Sequence, residues 1–408
     1  MTAGASLEPL PPRSRGPFRR TGYVLGVTAF GAGIPTPLYA VYEARYGFGA
    51  GVLGLVFAAY TIGVLATMLV VAPMSDTIGR KPVLYLGMGL TAASGVAFLL
   101  ANEPAGLAVA RIVSGLAVGA TTSTATAAMA RLEPNLDPHH VARVSVASNF
   151  GGVAAGILLS GAFVAFLPDP TVLVFLVLIG TSLVGMVAVA ATPETCEVGG
   201  SGRIRRLRVP AGIRVPFAIA ALALAACYAI YGFFGALAPT FVRVGLGLGG
   251  AIPSAIVVAT MFGSAALVQL GLGQLRDRRA LLLGFPLLVI GLSVLALALI
   301  TDSLPIIVAA AVLLGIAVGC AYMGSITLID RVSPDVSRGE ILSAFYLVGY
   351  LALAVPTIGV AFAAGPFGLG AAAAAFGITL GIFAVAGGVA TLRTPTPAGG
   401  GGRRRSAP

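Results

Sequence analysis

Charge is scarce in this chain. Of its 408 residues only 10% are Asp, Glu, Lys or Arg, while 58% are apolar. A soluble fold needs polar residues along its outer helix faces, so a water-soluble globule is excluded. Tryptophan is absent, which leaves Tyr and Phe to supply any interfacial aromatic belt. The single lysine, Lys81, is followed by Pro82, so there is no Gly-Lys-Ser/Thr phosphate loop and no ATP hydrolysis on that motif. The two histidines, His139 and His140, are neighbours between apolar runs. The runs themselves hold no His-Glu-x-x-His and no Gly-x-Ser-Gly. With neither metal ligands nor a nucleophile and base inside them, no metal, no cofactor and no enzyme activity are expected. Of the three cysteines, Cys196 falls in a polar segment and Cys227 and Cys320 in apolar runs, a pattern without a disulfide framework.

What remains is hydrophobic length. Charged residues cut the chain into uncharged runs at 21–42, 46–75, 82–102, 112–130, 144–168, 170–193, 215–242, 244–275, 280–301, 303–329 and 341–392. A bilayer core about 30 Å thick takes roughly 20 apolar residues of helix. The last run would make a helix of roughly 78 Å at about 1.5 Å per residue, and Gly365-Pro366-Phe367-Gly368 stands near its middle. It must be two helices. The sequence thus predicts an all-α membrane protein with twelve transmembrane helices.

The chain is also written twice. Gly115-Leu-Ala-Val-Gly119 returns 200 positions later as Gly315-Ile-Ala-Val-Gly319. Arg131-Leu-Glu-Pro134 pairs with Arg331-Val-Ser-Pro334, Asp76 with Asp277 and Pro37 with Pro239, at nearly the same offset. Two similar membrane halves in tandem place a solute site at their interface. The expected organisation is a cytoplasmic tail at 1–20, a six-helix bundle at 21–192, a Gly- and Arg-rich cytoplasmic linker at 193–215, a second six-helix bundle at 216–392, and a disordered tail at 393–408.

A net charge of +11 invites a nucleic-acid reading, and the distribution of charge excludes it. With both termini in the cytoplasm, every basic residue except Arg45, Arg111 and Arg243 lies on the inner side. This is the positive-inside asymmetry, and it predicts a multi-pass protein of the cytoplasmic (inner) membrane with both termini inside. Membrane lipid is the partner of the basic tail, no nucleic acid is a partner, and a monomer is expected. Asp137-Pro138 and Ser337-x-x-Glu340 read as start signals of helices 5 and 11, again 200 positions apart.

Between helices 2 and 3 the chain reads Ala72-Pro-Met-Ser-Asp76-Thr-Ile-Gly79-Arg80-Lys81-Pro82. This resembles the cytoplasmic signature of the major facilitator superfamily, and Gly273-Gln-Leu-Arg-Asp277-Arg278 is similar to its second copy. Arg111-Ile-Val-Ser-Gly115-Leu-Ala-Val-Gly119 resembles that family's pattern in helix 4. The resemblance implies two six-helix bundles that rock about a central cavity lined by helices 1, 4, 7 and 10. It also implies that Asp76, Gly79, Arg80 and Lys81, with Asp277 and Arg278, form a gating motif. The motif carboxylate, Asp76, would meet the start of helix 11 near Ser337, and Asp277 the start of helix 5 near Asp137. A helix N-terminus attracts a carboxylate, so these contacts would act as latches. The chain departs from the family pattern at Ala72 and Thr77. Gly152-Val-Ala-Ala-Gly156-Ile157 is similar to the family's antiporter signature, with Ile157 where a Pro is usual.

Small residues four apart let membrane helices approach closely, so Gly115, Gly119, Gly152 and Gly156 are expected to build the bundle. Arg111 is costly inside a membrane and is expected either to face the cavity, with Glu43 of helix 1 as partner and coupling site, or to snorkel outward. Candidate cavity residues are Tyr39, Arg111, Thr121, Thr122, Asn149, Tyr228, Tyr231, Tyr322, Tyr346 and Tyr350. These readings describe a secondary transporter of a small organic solute working by alternating access, with export favoured and protons as a candidate coupling ion. An importer or uniporter of the same fold is the alternative, and a non-transporting membrane sensor a remote one.

Overall fold

A computed structural model describes residues 15–196, 209–245, 251–271, 277–334 and 338–394; the side chains at 69–77, 244–245, 277, 338 and 339 lie outside that description. Twelve helices in it are long and apolar enough to cross a membrane. We number them α1 (Arg15–Gly33, continuing as Pro35–Tyr46), α2 (Ala50–Ile78), α3 (Arg80–Leu100), α4 (Pro104–Leu132), α5 (Pro138–Phe166), α6 (Pro170–Ala190), α7 (Arg214–Ala236), α8 (Ala251–Gly271), α9 (Asp277–Thr301), α10 (Leu304–Val332), α11 (Arg338–Phe367) and α12 (Leu369–Arg393). An even number of crossings puts the start of α1 and the end of α12 on one side, here called the terminal side; the opposite side is the distal side.

The punctuation is local chemistry. Gly47, Gly79 and Gly368 adopt positive φ at the α1–α2, α2–α3 and α11–α12 junctions, a conformation glycine reaches without a Cβ penalty. Gly368 is the break expected in the long last run. Proline opens α4, α5 and α6, where its missing N–H costs nothing. Inside α1 the prolines at 35 and 37 leave the carbonyls of Gly31 and Gly33 without their helical donors, and the helix restarts after Ile34. At the equivalent place beyond α7, Pro239 lies in a short turn, Ala238–Thr240, followed by a π-type turn, Phe241–Gly245.

Within the first bundle α2 packs on α4, α3 on α4 and α6, and α1 on α5; the second bundle repeats this with α8 and α9 on α10, and α7 on α11. The bundles meet along α5 against α8 and α2 against α11. Glycine makes these approaches possible. A Cβ on Gly115 would strike the Tyr60 carbonyl of α2, and one on Gly156 the Phe30 carbonyl of α1. Gly119 faces Val64 and Thr67 of α2, and Gly152 faces Gly26 and Ala29 of α1. Gly161 against Ala255 and Gly54 against Ala361 do the same across the bundle interface. Large apolar side chains such as Leu183, Val187, Ile378 and Ile382 cover the outside of α6 and α12, as a lipid-facing surface requires.

Two boundaries differ from expectation. α1 starts at Arg15 rather than after residue 20, because charges at a helix end reach past the apolar layer; Arg20 donates to the Ala191 carbonyl at 2.6 Å. α4 starts at Pro104, so Arg111 lies two turns inside the helix instead of one. The linker at 197–208, Ser337 and the tail from 395 onward lie outside the described residues.

Candidate functional site

Five of the expected residues gather at the centre of the molecule. Tyr228 and Tyr231 lie one turn apart on α7 with ring centroids 5.8 Å apart, and Tyr350 of α11 meets Tyr228 edge-on at 5.1 Å. Tyr322 of α10 and Tyr346 of α11 are close enough for their hydroxyls to interact. Phe150 of α5 joins them from the other bundle, 5.6 Å from the Tyr231 ring and 5.9 Å from that of Tyr322. Phe262 stacks on Tyr231 from α8 at 5.1 Å. Phe150 and Phe262 were not singled out from the sequence, since a lone Phe in an apolar run carries no distinguishing signal. Asn149 is half-buried beside Phe150 on α5.

A second constellation surrounds Arg111, which is 2% exposed. Snorkelling is thereby ruled out. Its guanidinium carbon sits 5.1 Å from the ring centroids of Phe57 and Tyr60 and 5.6 Å from that of Tyr39. Nη1 donates to the Ala32 carbonyl at 3.2 Å, beside the proline break of α1. Nε is buried without a hydrogen-bond partner, as are the hydroxyls of Tyr39 and Tyr42. Placing an arginine at mid-membrane costs roughly 3 kcal/mol, and a desolvated ring face returns up to about 2. Three faces therefore suffice to hold the cation without a carboxylate.

Glu43 is not that carboxylate, and the expected Glu43–Arg111 pair is corrected. Glu43 binds Arg243 of the second bundle at 2.7 Å on the distal side. Thr121 does not join the tyrosine cluster: it is buried with its hydroxyl toward Gly87 of α3. Helical geometry explains this, since eleven residues bring Thr122, not Thr121, back to the face of Arg111. Thr122 is half-buried.

The motif loop is organised by a residue the sequence reading passed over. The Glu194 carboxylate, from the segment after α6, accepts the backbone N–H of Arg80 at 3.0 Å and of Lys81 at 2.9 Å, capping α3. It also accepts from the N–H groups of Thr195 and Cys196. The positive φ of Gly79 lets the chain pass close to it. The Arg80 side chain donates to the Ala127 carbonyl at 3.0 Å. Lys81 Nζ donates to Ala190 O at 2.8 Å and Arg278 Nη2 to Leu392 O at 3.2 Å. Each thus places a cation on the last turn of a helix, α6 or α12, where the dipole favours it. The side chains of Asp76 and Asp277 lie outside the described residues.

At the start of α5, Asp137 accepts the His139 N–H at 2.9 Å, the N-cap read from the sequence. Glu133, 1% exposed, accepts the Asp137 N–H at 2.7 Å and lies 3.2 Å from Nδ1 of His140. Desolvation pushes the Glu133 carboxyl up. Hydrogen bonds from Asp137, His140 and Asn135 outweigh it and hold the group below its ordinary value.

Comparison with known proteins agrees with this architecture. Among curated proteins no sequence matches the chain. The crystal structure of the human organic anion transporter MFSD10 (TETRAN) superposes with a TM-score of 0.71 at 15% identity, covering 93% of this chain and 100% of that one. At that identity the likeness is one of fold. Residues 22–357 match the family model described as Major Facilitator Superfamily. Two six-helix bundles, a tyrosine cluster between them and a family match over most of the length lead to one conclusion: this chain belongs to the major facilitator superfamily and is a membrane transporter of a solute, not an enzyme.

Proposed function

We propose that the chain exports a small, amphipathic organic solute across the cytoplasmic membrane by alternating access, with the tyrosine cluster as its central binding surface. The observation that carries this reading is Phe150 of one bundle lying against Tyr231 and Tyr322 of the other. A solute wedged there touches both bundles, so their relative tilt changes its contacts and its binding changes their tilt. Basic residues concentrated on the terminal side support a cytoplasmic position for both termini. The Gly152 to Ile157 pattern favours export by antiport, with protons as candidate coupling ion. The motif carboxylates Asp76 and Asp277 serve as latches toward the helix starts near Ser337 and Asp137, a role that rests on the resemblance of the motif and on the attraction of a helix N-terminus for a carboxylate.

An importer or uniporter is the second reading. One observation favours it: among the described residues no span interior holds an acidic side chain or a histidine for a proton relay. Everted vesicles decide between them. Export predicts solute accumulation in everted vesicles that collapses with the proton gradient, and accumulation only in right-side-out vesicles would overturn it. Equilibration without accumulation in either orientation would establish a uniporter.

A further inference from the structure

Arg111 is the one charged side chain buried within a span among the described residues. Among the described residues no carboxylate pairs with it, and Glu43, the acidic residue on the same side of α1, is already taken by Arg243. The guanidinium spends one hydrogen bond on Ala32 and leaves Nε without a partner, with the buried Tyr39 hydroxyl beside it also unpaired. Buried donors without acceptors are uncommon because each one forfeits its hydration. Here three aromatic rings surround the charge, and Nε is left without an acceptor.

Arg111 is linked to the solute cluster through α2. Tyr60, half-buried on α2, packs its ring 5.1 Å from the guanidinium carbon, and α2 packs against α11, whose Tyr350 contacts Tyr228. From this we infer that the solute is an organic anion with an aromatic body: its acid group is received by Arg111 with the Tyr39 hydroxyl, and its body by the tyrosine cluster. The inference rests on the transport reading above for calling the ligand a solute. An acid group completes the planar fork with charge-assisted hydrogen bonds. A cation meets a like charge that no carboxylate neutralises, in a medium of low dielectric, and is rejected.

Purified full-length protein and three probes with one ring system test it: 2-naphthoate, 2-naphthamide and 2-naphthylmethylammonium, of charge −1, 0 and +1. The measurement is ligand-dependent thermal stability, converted to affinity. The expected result is at least tenfold tighter binding of the carboxylate than of the amide, with the ammonium weakest. Arg111→Gln reduces the preference to under twofold while amide affinity stays within about threefold. Arg111→Lys, which keeps a point charge, retains part of the preference and serves if the Gln variant fails to fold. Equal binding of carboxylate and amide, no binding of any probe, or an undiminished preference in Arg111→Gln each overturn the inference, leaving Arg111 as a tie to the α1 break. Flux in proteoliposomes separates the two readings. Charge-selective binding without flux of naphthoate counts against transport and leaves the anion site standing; flux without charge preference does the reverse.

Discussion

Glu43 and Arg243 stand 200 positions apart in the chain and 2.7 Å apart in space. That separation is the offset of the internal repeat, and it explains the contact. Residues at equivalent places in the two halves are exchanged by the pseudo-two-fold relating the bundles, so those nearest its axis face each other. One partner became acidic and the other basic, which makes the meeting attractive. The pair joins α1 to the turn after α7 on the distal side and therefore favours the state closed there. Arg243 is partly exposed, so the contact is worth about 1 kcal/mol, or about fivefold in the ratio of states. Glu43→Gln and Arg243→Ala should each raise distal-side labelling of an introduced cysteine by about that factor. The exchanged pair Glu43→Arg with Arg243→Glu should restore it, and equal labelling of all four proteins would dismiss the clasp.

Gly115 offers a test of packing. A Cβ there meets the Tyr60 carbonyl, with the Val64 nitrogen at 2.9 Å and the Gly63 Cα at 3.1 Å. These are backbone atoms of α2 and have no rotamer to yield. Gly115→Ala should destabilise the protein by roughly 1 to 3 kcal/mol, seen as a lower melting temperature. Gly180→Ala, where nothing lies within 4 Å, should leave it unchanged.

The pattern of what the sequence disclosed follows from how each signal is carried. Helix number, the Gly368 break and the packing role of Gly115 and Gly156 were legible because bilayer thickness and helix spacing act on residue types alone. The tyrosine cluster was legible because its members sit one turn apart on α7 and at the expected depths. Arg111 could be found but its surroundings could not: Phe57 and Tyr60 approach from α2, and only the fold brings that helix alongside. Arg243 was within reach, since adding the repeat offset to Glu43 lands on it. Glu194 was not, because its partners are backbone N–H groups, which leave no trace in side-chain identity.

Glu194 itself is expected to hold the motif loop. Its carboxylate satisfies two of the orphan donors at the start of α3, and loss of such a cap costs about 1 kcal/mol. Glu194→Ala should lower the melting temperature and slow transport together, because Arg80 and Lys81 lose their anchor. Asp76→Asn should slow transport with melting temperature and membrane insertion unchanged. A stable but inactive Glu194→Ala would place this carboxylate in gating instead of in capping.

Acid sensitivity can be assigned to the start of α5. The Glu133 carboxyl lies below its ordinary value of 4.5, where hydrogen bonds overcome desolvation, and Asp137 lies below 3.8 for the same reason, with His139, His140 and Arg143 facing it. A depressed folded value means that the native state holds its proton less tightly than the unfolded chain. The stabilisation is therefore complete above the ordinary value and is lost as pH falls through the lower folded one. Melting temperature should fall as pH drops below the ordinary carboxyl value of 4.5 and on through the depressed folded values. Glu133→Gln removes the carboxylate that accepts from Asp137 and His140, so its melting temperature at pH 7 should be lower and its decline in acid shallower. A parallel curve, displaced downward at every pH, would show that Glu133 contributes packing and that its ionisation is not coupled to the fold.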